Sequence, residues 1–204
     1  APNPFELFAN GVHEGTLAFE RGNPDLDVEA SLNTDLAFRI QGNRLALEVG
    51  GFVNLVDGYI YTVPVPGLVD PESGLQVFDV VQGNARLVGA ELSAQYHPWP
   101  AVHVDVTADF VRGTNTTTGD PLASMPPFRA TWRLSYEGRD LARWAVAPYA
   151  WFGGQANARQ TRLDPSEAAF YEQAFDGAGF TPMAFTLLDV GAGVTLLAGP
   201  TPLQ

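Results

Sequence analysis

The sequence predicts an all-β fold, an antiparallel up-and-down meander of about eight long strands that forms part of a larger transmembrane β-barrel. Three observations carry that expectation. Segments of about ten residues alternate between apolar and polar side chains, where a globular strand averages about five or six residues. Short and long connections between these segments alternate strictly, as they do when tight turns gather at one end of a barrel and long loops at the other. No run approaches the roughly twenty apolar residues of a membrane helix, and no segment carries a convincing helical repeat except a short stretch in one loop.

Taken in chain order, the first clear strand sets Leu32, Thr34, Leu36, Phe38 and Ile40 against Asn33, Asp35, Ala37, Arg39 and Gln41. After "QGNR", the segment "LALEVGGFVNLVDGYIYTV" places Leu45, Leu47, Val49, Val53 and Leu55 opposite Glu48, Phe52 and Asn54. "ARLVGAELSAQYHP" opposes Val88, Ala90, Leu92, Ala94 and Tyr96 to Gly89, Glu91, Ser93 and Gln95. "VHVDVTADFV" opposes Val102, Val104, Val106, Ala108 and Phe110 to His103, Asp105, Thr107 and Asp109. "FRATWRLSYE" opposes Phe128, Ala130, Trp132, Leu134 and Tyr136 to Arg129, Thr131, Arg133, Ser135 and Glu137. Pro148 and aromatics in both phases make "WAVAPYAWFGGQA" an irregular or bulged strand. "LLDVGAGVTL" closes the series, with Leu188, Val190, Ala192, Val194 and Leu196 opposite Asp189, Gly191, Gly193 and Thr195.

The connections "QGNR", "HPWPA" and "GRDLAR" are short, whereas 64–75, 114–126 and 159–185 are long and rich in Gly, Pro, Asp and Thr. Aromatics mark both ends. Tyr96, Trp99, Tyr136 and Trp144 lie beside the short turns, and Tyr59, Tyr61, Phe110 and Phe128 near the long loops, as two bilayer interfaces would select. The apolar stripe of Leu32, Leu36, Phe38, Ile40, Leu45, Leu47, Val49, Val88, Leu92, Val104, Val106, Trp132, Leu134, Val190 and Val194 is therefore expected to meet lipid. The polar stripe, Asn33, Asp35, Arg39, Glu48, Glu91, His103, Asp105, Asp109, Arg129 and Arg133, is expected to line a wet lumen in cross-strand ladders.

The chain has 204 residues, no cysteine and a formal charge of -12. That charge argues against nucleic acid as a partner, because phosphate binding needs concentrated Lys and Arg. Lack of cysteine removes disulfides and thiolate metal sites. Signatures of nucleophilic, nucleotide-binding and zinc-hydrolase enzymes are missing, so no enzyme is expected.

The pieces "ELFANGVHEGT", "FERGNPDLDVEASLNTDLAFR", "FVNLVDGYIY", "NARLVGAELSAQY", "DFVRGTN" and "MPPFRATWRLSYE" resemble, in order and spacing, the C-terminal barrel of TonB-dependent outer-membrane receptors. That resemblance implies a barrel of about 22 strands around a plug domain, placed in the outer membrane of a Gram-negative bacterium. It implies import of a metal ion, a metal chelate or siderophore, or a cobalamin-like ligand with TonB-derived energy, and insertion by the barrel assembly machinery. No intrinsic cofactor is implied. Residues 1–204 read as a partial barrel domain, with the plug and the final strands outside it. "GVHEGT" is also similar to the "GPH-AT" stretch of a metal-uptake subgroup, with Val12 in place of Pro and Gly15 in place of Ala, and Ser124 stands where many relatives carry Arg. The competing readings are a passive porin-like or structural membrane barrel, and a soluble β-sandwich that binds carbohydrate.

Two groups are candidate ligand residues. His13, Glu14 and Glu20 fall in a loop region and combine imidazole with carboxylates, a donor set for divalent cations. Asp164, Glu167, Tyr171 and Glu172 belong to the acidic and aromatic loop that also contains Asp176, Phe170, Phe175 and Phe180. Within that loop "PSEAAFYEQAF" is expected to form a short amphipathic helix starting at Asp164 or Ser166.

Overall fold

The computed structural model describes residues 1–174 and 181–197, so Phe175, Asp176 and Phe180 lie outside the described residues. Two short helices, α1 (Pro4–Phe8) and α2 (Pro165–Ala174), accompany nine strands. These are β1 (Asn10–His13), β2 (Ala18–Arg21), β3 (Ala30–Gln41), β4 (Leu45–Val69), β5 (Gln76–Trp99), β6 (Val102–Asn115), β7 (Arg129–Glu137), β8 (Ala145–Asn157) and β9 (Phe185–Leu196).

The seven long strands pair antiparallel in sequence order from β3 to β9. Among the described residues this is one sheet and it does not close: β3 pairs only with β4, and β9 only with β8. No second sheet faces it, so the layered packing that a soluble sandwich needs is not present among the described residues. Tight turns at 42–44, 100–101 and 138–144 alternate with the connections 70–75, 116–128 and 158–184. The meander and its two unlike ends agree with the sequence reading.

Register keeps the two stripes apart across strands. Ile40, Leu47, Ala94, Val106, Trp132, Gly154 and Leu188 form one continuous row, and Leu45, Tyr96, Val104, Leu134, Phe152 and Val190 form the next. Among the described residues nothing covers this apolar face: Leu36 is 80% and Val190 77% exposed, and Leu32, Phe38, Val49, Leu134 and Phe152 are exposed as well. Among the described residues, buried apolar side chains lie instead toward the long-loop end, at Ala18, Val77, Phe78, Val80, Ala85 and Leu122; Ala145 is buried near a short turn.

Two elements depart from the pattern reading. The first half of the expected loop 64–75 is strand, because β4 runs to Val69, and only 70–75 connect it to β5, which begins at Gln76. Pro64 and Pro66 donate no ladder bonds, and the Gln76 amide supplies donors instead, to the carbonyls of Val65 at 2.6 Å and Leu68 at 3.0 Å. The region of His13 and Glu20 is a β1–β2 hairpin, not an open loop, and β2 adds in parallel to β5 through Phe19–Val77, Glu20–Phe78 and Arg21–Asp79. It occupies the edge of β5 beyond the end of β6, whose pairing stops at Asn115. A two-pronged ion pair from Arg21 to Asp79, 2.7 and 3.0 Å, clamps it there.

Irregularities sit at bulges. Asp57 and Gly58 oppose Asn84, with Gly58 at φ 68°, and the Gln82 amide bonds the Gly58 carbonyl and both backbone groups of Asp27. That ties the 22–29 connection to the sheet. In β8 the register shifts between Val146 and Tyr149 around Ala147 and Pro148, as the proline foretold.

Candidate functional site

Polar groups converge in two places. On the polar face of the sheet, Arg39 Nη2 meets Glu48 Oε1 at 2.7 Å and Arg129 Nε meets Asp109 Oδ1 at 2.8 Å, each pair in register on adjacent strands. Thr107 and Thr131 share a 2.6 Å hydroxyl bond. Asp105 lies opposite Arg133, whose guanidinium stacks 4.3 Å above the Trp151 ring. Glu91 lies in register with Asp109, Asp35 accepts a 2.5 Å bond from Asn33, and a concavity of about 680 Å³ runs past Glu48, Glu91, Asp109 and Arg129.

At the long-loop end, five elements line a cleft of about 300 Å³. Gly15, Thr16, Ala18 and Glu20 come from the β1–β2 hairpin, Thr62 and Phe78 from β4 and β5, Ala123 and Ser124 from the β6–β7 loop, and Ser166, Glu167, Phe170 and Tyr171 from α2. The structure thus brings Glu20 of the first candidate group together with Glu167 and Tyr171 of the second. Sequence distance hid this meeting, since the hairpin's docking on β5 and the fold of the β8–β9 loop are both non-local.

The two carboxylates on the wall, Glu20 and Glu167, each have named partners. Glu20 is only 7% exposed. Its Oε1 accepts from the Thr16 hydroxyl at 2.9 Å and lies 3.2 Å from His13 Nδ1. His13 Nδ1 is also 3.0 Å from Thr16 Oγ1, whose own proton goes to Glu20, so the imidazole donates at Nδ1. Glu167 accepts from the Ser124 amide at 2.7 Å through Oε1 and from the Asp164 amide at 3.4 Å through Oε2, latching the β6–β7 loop to α2. Two further ties hold the β8–β9 connection here: the Gln160 amide donates to the Met125 carbonyl of the β6–β7 loop, and Arg162 reaches Gly113 and Thr114 at the end of β6. Leu17 in the hairpin turn, at φ 50°, and Ser124 in the β6–β7 loop, at φ 58°, each adopt the left-handed region that non-glycine residues seldom adopt.

The remaining candidates lie apart. Asp164 is buried as the cap of α2, accepting from the Glu167 amide at 2.6 Å and the Ser166 hydroxyl at 2.8 and 2.9 Å. The helix starts where expected, but its apolar residues are spread around it and not gathered in a stripe. Glu14 and Glu172 are exposed. His103 and His97 face each other near a short turn, Nδ1 to Nδ1 at 2.6 Å, with Glu137 Oε2 3.8 Å from His103 Nε2. Among the described residues no three His, Asp or Glu side chains converge as a cation cage would need. Asn115 is 2% exposed and accepts from the amides of Thr117 and Thr118, which fixes the turn that opens the β6–β7 loop.

One sheet, apolar on an uncovered face, polar on the other, with tight turns at one end and long connections at the other, defines a segment of an outer-membrane-type β-barrel wall. The chain belongs to the TonB dependent receptor-like β-barrel family, whose model matches residues 1–199. Its fold is similar to that of the copper transporter OprC, with a TM-score of 0.70 at 18% identity over 94% of this chain and 27% of that one. The siderophore receptor PirA from Acinetobacter baumannii matches with a TM-score of 0.59 at 17% identity, over 95% of this chain and 31% of that one. The ferric enterobactin receptor PfeA from Pseudomonas aeruginosa matches with a TM-score of 0.59 at 16% identity, over 94% of this chain and 28% of that one. This chain therefore spans 27–31% of the length of these three receptors.

Proposed function

We propose that the chain forms part of the wall and outer rim of an import receptor in the outer membrane of a Gram-negative bacterium. In the full-length protein a scarce ligand, a metal ion, a metal chelate or siderophore, or a cobalamin-like molecule, is captured at the long-loop end. A plug domain driven by the TonB complex then releases it inward. The barrel assembly machinery inserts the strands, and the protein itself carries no resident cofactor and performs no catalysis. Family membership supports the transport class. The kinship of fold with a copper transporter and with siderophore receptors supports a metal or a chelate as cargo.

The observation that carries the reading is the uncovered apolar face. Leu32, Leu36, Phe38 and Val190 are each more than half exposed on one continuous face, an arrangement that water penalises and lipid rewards. On this reading the rows through Leu45, Leu47, Val49, Val88, Leu92, Val104, Val106, Trp132, Leu134 and Val194 meet acyl chains. The rows through Asn33, Asp35, Arg39, Glu48, Glu91, His103, Asp105, Asp109, Arg129 and Arg133 line the aqueous interior.

The test is uptake. Cells producing the full-length protein, starved of iron, copper or zinc in turn, are expected to accumulate one of these metals, free or chelated, above cells lacking it. Deleting TonB should abolish that gain. Accumulation that survives the deletion contradicts active import and favours a passive porin.

A further inference from the structure

We propose that Arg86 and Arg112, on the outward phase of the sheet at its long-loop end, bind the phosphate of a phosphorylated lipid in the outer leaflet. The inference rests on the reading above, in which the apolar face meets lipid, and names the headgroup chemistry that this part of the wall selects.

Strand register places both arginines in line with apolar residues. Leu32, Leu55, Arg86 and Thr114 form one cross-strand row, and Thr34, Val53, Val88 and Arg112 form the next. Arg86 on β5 and Arg112 on β6 are therefore diagonal neighbours, a backbone spacing of about 7–8 Å that two long side chains can bridge. Both are exposed, and among the described residues neither guanidinium makes a hydrogen bond or an ion pair. Asp57, two residues beyond Leu55 on β4, forms an ion pair with neither. A third guanidinium arrives from the β8–β9 connection, where Arg162 Nη2 lies 3.4 Å from Thr114 Oγ1. Burial pushes the Arg162 guanidinium below its ordinary range, and the charge of Arg112 adds to that push. Positive charge thus gathers around Thr114, and among the described residues no acid is paired to any of the three arginines.

Depth decides which anion reaches them. From Tyr96, beside a short turn, to Arg86, β5 advances about 33 Å at about 3.3 Å per residue. At a strand tilt of about 40° that is about 25 Å along the membrane normal, the height of the apolar band of an outer-membrane barrel. Arg86 therefore falls at the far interface, and Arg112 lies one row nearer the bilayer centre. An arginine facing lipid is costly at mid-bilayer and well tolerated at the interface, where headgroups supply its counter-charge. The planar fork of a guanidinium matches two oxygens of a phosphate, and two such forks side by side suit a phosphate monoester. Towards the bilayer centre the same face continues through Val53, Val88 and Phe110, the last 44% exposed, and offers an acyl chain an apolar surface directly below the arginines. That continuity favours a lipid phosphate over a soluble one.

The experiment uses the full-length protein in micelles of a neutral detergent and counts bound lipid by native mass spectrometry. Dilauroyl phosphatidate is the probe, dilauroylglycerol its counterpart without phosphate, and inorganic phosphate the soluble anion. Phosphatidate is expected to bind at least tenfold more tightly than either. Arg86→Gln combined with Arg112→Gln should weaken it at least tenfold, whereas Arg139→Gln, in a short turn at the opposite end, should leave it unchanged. Heat-modifiable migration on gels shows that each variant is folded. Equal retention of the two lipids, inorganic phosphate binding as tightly as phosphatidate, or unchanged affinity in the folded double variant overturns the proposal. Oxygen accessibility of spin labels at Leu36 and Phe38 is read in parallel in lipid vesicles. High accessibility without a preference for phosphatidate refutes this inference alone, whereas water exposure there refutes the lipid-facing reading and the inference with it.

Discussion

Asp164 shows how one residue type supports two readings. Its acidic, aromatic neighbourhood suggests a ligand group; its place before "PSEAA" suggests a helix start. The structure uses it as the cap. Burial pushes the Asp164 carboxyl above its usual range, outweighing the bonds from Glu167 and Ser166 that favour the ionised form. The folded state therefore holds this proton more tightly than the unfolded chain does. The stabilisation is complete below the unfolded pKa of about 3.9 and is lost as pH rises through the higher folded value. Hydrogen exchange of residues 165–174, corrected for intrinsic rate, should show protection falling as pH climbs from about 4 towards neutrality. Asp164→Asn should flatten that slope while keeping the cap, and Asp164→Ala should cost α2 about 1 kcal/mol across the range. His13 and Glu20 were legible only as neighbours in sequence. Their 3.2 Å approach depends on Thr16 and on the turn at Leu17, which composition does not announce.

At the scale of strands, alternation located every long element, because period two is a local property of the chain. It missed what depends on partners. The β4–β5 hairpin extends through a Pro-rich stretch only because Gln76 substitutes for missing donors, and β2 pairs in parallel with a strand more than fifty residues away. Glycine–aromatic pairing across strands is another partner effect. Gly89 lies opposite Phe52 and Gly191 opposite Trp151, and a Cβ built at either glycine would come within 2.3 Å and 2.5 Å of the facing ring. The ring thus occupies the space that a side chain would fill, covering the glycine backbone. Gly191→Leu should destabilise the β8–β9 pair by about 1–3 kcal/mol through overpacking, with Gly191→Ala milder. The check is the midpoint of heat-induced loss of the folded band on gels; an unchanged midpoint would refute the packing argument.

For the molecule as a whole, the sheet's two faces and two ends follow from sequence, while the meeting of hairpin, β6–β7 loop and α2 around one cleft does not. Such contacts span most of the chain, and no local periodicity encodes them. The central claim is that the face of Leu32, Leu36, Phe38 and Ile40 meets lipid, and the face of Asn33, Asp35, Arg39 and Gln41 meets water. This chain contributes no native cysteine to interfere with labelling. The most direct measurement places a single spin-labelled cysteine at each position from 32 to 41 in turn, in the full-length protein reconstituted into lipid vesicles. Collision rates with oxygen, which concentrates in the bilayer, are then compared with those of a water-soluble nickel chelate. The account predicts period-two profiles in opposite phase, with oxygen maxima at Leu32, Leu36, Phe38 and Ile40 and nickel maxima at Asn33, Asp35, Arg39 and Gln41. Nickel maxima on the apolar positions, or profiles without alternation, would contradict it.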